Sequence, residues 1–488
     1  MNSMLLADAS AATAASDATA GPSANRERAK RLYFSLYDAP QSHLDEARAY
    51  VADQVAAVQA MPADLPSTLA ALPAWVQECT EAVGAQYRDY LAARKNGAPR
   101  RYFSCRAHAL YFIKAVAPTK LVDGAWLYGL LRHWDHPAYH ELIKTYLEEL
   151  GEGAPSKNHV TIYRKLLATH GCEGWENLDE HHFVQGAIQL ALGHDADHFL
   201  PEVIGYNLGY EQLPLHLLIT SYELNEFGID PYYFTLHVTV DNAASGHAQK
   251  AVQALAGLMP RVGDREAFYR RVLDGYRLNE LGASTTSVIA EFDLQAELVN
   301  IFAAKSSVGK NMHSDYCRVA GRSVNDWLTE PARIPDFLAA LEKAGWIKRG
   351  EEVEHSRFWR LVHGEKAEMF GVFSAYEQQV LRDWITSKPD GSQLDGARSM
   401  TWRARQRTLD NLGQHADRSA DFPERGLIRR HPRLESQDNE LRLLEEQVAA
   451  CGSKQEAMEL LGGLMSPEIH HTAVGLMATR MYTRLFDA

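Results

Sequence analysis

Residues 201–220 read PEVIGYNLGYEQLPLHLLIT, and this stretch sets the fold class. Apolar residues recur along it without the strict alternation of a half-buried strand, so it reads as a long amphipathic helix. Pro201 fits either a kink or an early helical position, where its missing N–H costs little. Glu202 follows at once. An acid at such a place either complements the positive helix end or points inward as a ligand.

The neighbouring segments carry the same signature. Upstream, residues 159–169 and 181–200 read as helices, and downstream so does 231–258. From 26 to 91 the pattern is again helical, as in LDEARAYVADQVAAV at 44–58, before the break Asn96-Gly97-Ala98-Pro99. A stretch over 104–149 is interrupted near Pro118 and turns near Pro137. The loop Gly151-Glu152-Gly153-Ala154-Pro155 separates it from the next helix. Residues 263–330 read as helical, strongest at AEFDLQAELVNIFAAK. The segment 331–385 is mixed. PDFLAALEKAGWIKRG reads as a helix ending in a turn, while RFWRLV and MFGVFS read as strands of a small hairpin. An arginine-rich connection or lid is expected over 397–433, followed by closing helices. The chain thus reads as mainly α: a tail over 1–28, a helical bundle over 29–260, and a mostly helical C-terminal region over 261–488 with a small α+β segment.

Composition narrows the function. The 488 residues are 46% hydrophobic, so a large core is possible. The net charge of −13 gives no general attraction to phosphate backbones or anionic lipid, which argues against a nucleic-acid or membrane partner. No apolar run is long enough for a transmembrane helix, and the Ala/Ser/Thr-rich N-terminus lacks the basic and apolar regions of a signal peptide. Cys79, Cys105, Cys172, Cys317 and Cys451 are scattered and form no CxxC, which fits reduced thiols in a cytoplasmic protein.

Four features could carry chemistry. Glu148 and Glu149 end a helix, a glycine-rich loop turns, and His159 opens the next helix, so one carboxylate and one imidazole can meet. His237 and Asp241 lie one turn apart within the apolar run YYFTLHVTVD, a standard metal-ligand arrangement or else a mutually satisfied core pair. His194, His198 and Glu202 are spaced by four and four, and on one straight helix would share a face. Asp123 is a lone acid in the apolar run KLVDGAWLYGLL, facing either inward or out beside Lys120. Carboxylates and imidazoles drawn from several helices are the usual construction of a dinuclear iron site, and the absence of thiolates suits iron or manganese. The Glu-x-x-His pair of the ferritin-like version is not found.

The order Glu149, His159, Glu202, His237, Asp241 resembles the haem-oxygenase-like diiron oxidases and oxygenases, known as iron-containing redox enzymes. The resemblance covers roughly residues 100–260, and PEVIGYNLGYE and LHVTVDN are its most specific parts. It implies a haem-oxygenase-like bundle holding two Fe(II) ions that activate O2, with electrons from a reductase or chemical reductant. An additional carboxylate from an earlier helix is associated with the N-oxygenase branch, and Asp123, 26 residues before Glu149, stands where that acid is expected. One departure stands out. The family's final histidine commonly follows the Asp by three residues, but Ala244 occupies that place and the next histidine is His247. On a straight helix His247 would lie about 240° around from Asp241, so it can bind only if the helix is distorted, for instance by Gly246 or a bulge.

The resemblance therefore implies oxidation of a small, amine-containing metabolite to a hydroxylamine, nitroso or nitro product by a homodimeric cytoplasmic oxygenase. Desaturation or oxidative C–C cleavage of an amino or fatty acid is the alternative chemistry. A metal-free or haem-binding protein of the same fold, or a helical scaffold, is the alternative of another class. WLTEPARIPDFLAALEKAGWI and MFGVFSAYEQQVLRDWI are also similar to the C-terminal region of longer family members.

Overall fold

The computed structural model of the chain describes residues 27–240, 246–314, 316–388 and 432–488. The expected tail, up to residue 26, and the arginine-rich connection, up to residue 431, lie outside the described residues. The architecture is mainly α. Among the described residues the only sheet is a minimal antiparallel pair, Arg318–Val319 with Arg322–Ser323. No helix among them is long and apolar enough to cross a membrane. All five cysteines are free thiols.

The sequence places that hairpin wrongly. RFWRLV is the helix Arg357–Val362, and MFGVFS runs through turns. Phe358, Trp359 and Val362 are the buried residues of the first piece, and their i, i+1, i+4 spacing is a helical period. The long helices anticipated from sequence are also shorter. The 201–220 stretch divides into Leu200–Tyr210 and Leu215–Glu226, with Pro214 capping the second. The 231–258 stretch divides into Tyr232–Val240 and His247–Leu258.

Two apolar cores hold the molecule together. One gathers residues from Ala29 to Leu278 and, from the far end of the chain, Leu444, Met458, Leu461, Met465, Ala478 and Tyr482. The other gathers Phe103 to Leu121, Val160 to Cys172, Leu217 to Phe234, and Val288 to Ile385. Residues from both sides of position 260 thus contribute to each core. The helix Ala473–Asp487 is tied to the first by Tyr482 Oη donating to Leu131 O at 2.8 Å. Tyr146 Oη donates to Met465 O at 2.6 Å.

The helices Leu200–Tyr210 and Arg265–Arg277 cross in direct backbone contact. A Cβ on Gly205 would sit 1.9 Å from Val272 O. A Gly205→Ala substitution must therefore push these helices apart, at an expected cost of at least about 2 kcal/mol. Gly462→Ala meets nothing within 4 Å and should stabilise slightly, by about 0.5 kcal/mol. Denaturation midpoints of the two variants check the contrast, and equal midpoints would refute it.

Candidate metal centre

Six buried side chains, each from a separate segment, converge in the bundle. Glu149 is the last residue of the helix His140–Glu149, and His159 is the first of His159–His170. The glycine-rich loop between them brings His159 Nδ1 to 2.5 Å from Glu149 Oε2, as the sequence suggested. The Asn158 side chain secures the loop. It caps the second helix through Thr161 N at 2.9 Å, and its Nδ2 faces Leu150 O and His470 Nδ1 at 3.2 and 3.1 Å. A residue near the C-terminus thus braces the loop that carries two of the six.

Asp123 faces inward. It lies in a turn rather than a helix, followed by Gly124 at φ +81° and the 3-10 helix Ala125–His133. The left-handed Gly124 lets the turn approach, since a Cβ there would sit 2.9 Å from Glu149 Cβ. Asp123 Oδ2 stands 3.5 Å from His159 Nδ1 and 3.2 Å from His237 Nε2. Tyr233 Oη donates to the same oxygen at 2.5 Å, and Tyr210 Oη donates to Oδ1 at 3.0 Å. His237 Nδ1 sits 2.8 Å from Tyr233 O, which fixes the ring and turns Nε2 toward the cluster. Asp123, Glu149, His159 and His237 offer one donor atom each within 4.8 Å of one another.

A second group shares Glu149. His247 opens a new helix after Val240, which removes the straight-helix objection to its taking part. Its Nδ1 lies 3.4 Å from Glu149 Oε1 and 3.0 Å from Glu211 Oε2. Its Nε2 is held 2.6 Å from Glu148 Oε2, and Lys250 Nζ anchors Glu148 at 2.5 Å. Glu149, Glu211 and His247 again lie within 4.8 Å of one another. Glu149 therefore turns one oxygen to each group.

Glu202 is the residue that sequence reasoning misplaced. Its carboxylate is gripped by Arg271, with Nε 2.6 Å from Oε1 and Nη2 2.7 Å from Oε2, and it joins neither group. Glu211, the residue that ends the same helix and was not anticipated, supplies the carboxylate instead. Both acids belong to the PEVIGYNLGYE motif, but nine residues at about 100° each leave them on opposite sides of the helix. The burial pattern distinguishes them only in three dimensions. A Glu202→Gln variant is therefore expected to bind as much iron as the parent, measured by colorimetric iron assay, and a loss of iron would restore Glu202 as a ligand. Asp241 lies outside the described residues.

His194 and His198 do not join the centre either. The helix Val184–His194 ends before Leu200–Tyr210 begins, so the four-and-four spacing does not share a face. His198 is exposed. His194 is 8% exposed with Nε2 unpartnered, and burial pushes its pKa down to about 4. Between pH 6.5 and 4 the unfolded chain takes up a proton that folded His194 refuses, so stability falls as pH falls through this window. The full effect is about 3 kcal/mol, from a shift of 6.5 to about 4. In a pH series of thermal unfolding, His194→Leu should flatten that decline, and a parallel decline would rule His194 out as its source.

The electrostatics fit a cation. Burial works against the charged forms throughout, yet Lys120 together with His159 and His237 holds the Asp123 carboxyl well below its usual range. Burial would lower His159, but Glu149 and Asp123 raise it to about 10. His247 is likewise raised against burial, by Glu211 first and by Glu148. Glu211 is raised by burial, with Glu149 adding repulsion that His247 only partly offsets. Three carboxylates thus crowd one interior point, with protonated imidazoles compensating. Glu149 Oε1 and Glu211 Oε1 are sealed from solvent without a hydrogen-bond donor, a costly arrangement that a metal ion relieves. The donors are oxygen and imidazole nitrogen only, a set that suits iron.

No curated protein and no solved structure matches the chain. Residues 110–280, which contain all six of these side chains within the haem-oxygenase-like helical core, match the model of the family described as iron-containing redox enzyme.

Proposed function

We propose that this chain is an oxidoreductase that holds two ferrous ions and uses O2 to oxidise the nitrogen of a small amine. The observation that carries the reading is Glu149, whose Oε2 faces His159 and whose Oε1 faces His247. One ion would be held by Asp123, Glu149, His159 and His237, the other by Glu149, Glu211 and His247. The pair of ferrous ions, when bound, supplies the electrons that activate O2, and an external reductant restores them. The inward-facing Asp123, where the resemblance places the extra carboxylate of N-oxygenases, supports an amine as substrate.

The remaining work falls to the protein. Tyr210 and Tyr233 aim the two oxygens of Asp123, and Lys120 Nζ donates to Tyr210 Oη at 2.8 Å, so the acid stays ionised and oriented. Glu148 holds the Nε2 edge of His247, leaving Nδ1 to bind. Loading the site displaces the protons on His159 and His247, so binding should weaken as pH falls. The near-complete burial of the six groups excludes bulk water from the reacting region.

The test is anaerobic loading with ferrous ion, followed by exposure to isotopically labelled O2 with a panel of primary amines and reductant. Label on nitrogen in the product is the expected result. Consumption of O2 with a desaturated or cleaved product lacking N–O bonds would replace N-oxygenation with carbon chemistry.

A further inference from the structure

A third group of metal-type donors lies apart from this centre and shares no residue with it. His181 and His182 sit on the 3-10 turn Glu180–Phe183, and Glu291 ends the short helix Thr285–Glu291. His181 Nε2 is 3.0 Å from Glu291 Oε1, and His182 Nε2 is 3.6 Å from Glu291 Oε2. One donor atom from each of the three lies within 4.8 Å of the others. Ligands about 2.1 Å from a tetrahedral ion stand about 3.4 Å apart, and the two observed separations bracket that value. The turn is pinned from both sides. Glu180 accepts from Ala29 N and Lys30 N at 2.5 and 3.1 Å, and His181 O accepts from Ala283 N at 3.2 Å. The imidazoles are therefore presented on fixed backbone.

We propose that His181, His182 and Glu291 form a separate binding site for a divalent ion of the zinc type, completed by water at the fourth position. Two imidazoles and one carboxylate are a characteristic zinc donor set with an open position. His182 is buried, so its ring is held in one place beside Glu291. The half-exposed His181 and Glu291 leave the ion a path in from solvent. The site also has a structural meaning. The turn leads into Val184–His194, whose apolar residues belong to the first core, while Val288 and Ile289 beside Glu291 belong to the second. An ion here would link the two cores at the surface.

The experiment uses the full chain loaded anaerobically with ferrous ion and then dialysed against zinc, with both metals measured by elemental analysis. One zinc per chain in addition to the iron is expected. Glu291→Gln, and separately the double variant His181→Ala/His182→Ala, should weaken zinc binding more than about 100-fold while leaving the iron content unchanged. Glu149→Gln, which disables the iron centre, should retain this zinc, so failure of one site is distinguishable from failure of the other. Absence of the additional zinc from the parent chain, or equal zinc in parent and Glu291→Gln proteins, would overturn the proposal. Glu291 is partly exposed, so its variant keeps the test valid if the double variant misfolds.

Discussion

Glu149→Gln is expected to lose iron from both positions, whereas Glu211→Gln should lose only about one equivalent. The reason is the placement of the two carboxylate oxygens. Oε2 is 2.5 Å from His159 Nδ1, within the group that includes Asp123 and His237, and Oε1 is 3.4 Å from His247 Nδ1, within the group that includes Glu211. An amide is neutral and offers only one acceptor, so the substitution removes a charge that both ions need and a ligand atom from one of them. Glu211 touches His247 and stands in the second group alone. Losing one ligand from a buried site should weaken that ion by more than about 100-fold, beyond what outer partners alone contribute. Glu149→Gln also strips buried, protonated His159 of its main counter-charge, so the metal-free variant should be less stable than the metal-free parent. Iron per chain after anaerobic loading and desalting decides the matter. Equal iron in the Glu149→Gln and Glu211→Gln proteins would mean that Glu149 does not serve two ions.

A chain ending at residue 431 is expected not to fold into a compact iron-binding protein. The three helices it would lack, Pro432–Ala450, Lys454–Gly463 and Ala473–Asp487, lie at the end of the sequence yet close the first core. Leu444, Met458, Leu461, Met465, Leu476 and Tyr482 are each buried to 9% exposure or less. Removing the partners of that many large apolar side chains costs roughly 10 kcal/mol or more. That is comparable with the whole stability of a typical domain. Polar groups suffer as well, since Tyr146 Oη loses Met465 O and Asn158 Nδ2 loses His470 Nδ1. The second loss bears on function, because Asn158 caps the helix that begins with His159. Size-exclusion, a hydrophobic-dye assay and iron content report on this directly. A truncated chain that stays compact and binds the full complement of iron would show that the C-terminal helices are dispensable.

Much of the site could be read in the sequence because local geometry carries it. Glu149 and His159 flank a short glycine-rich loop, so their meeting depends on few intervening residues. His237 sits in an apolar run that would bury it, and a buried imidazole needs a partner. Glu211 was illegible for a tertiary reason. It and Glu202 belong to one helix in a strongly apolar segment, and the choice between them rests on Arg271, 69 residues beyond Glu202. His247 depended on a new helix starting after an extended Gly246, which periodicity does not reveal. The fold class followed from helical spacing over most of the chain. The contribution of residues 444–482 to the first core did not, because long-range packing leaves no periodic trace. The misread RFWRLV shows the ambiguity of a six-residue apolar run, which fits either period until its neighbours are known.

The most direct test of the paired centre is a crystal structure of the ferrous-loaded protein with anomalous diffraction measured at the iron edge. Two peaks about 4 Å apart are expected, one against Asp123, Glu149, His159 and His237 and the other against Glu149, Glu211 and His247. A single peak, or two peaks that do not share Glu149, would contradict it.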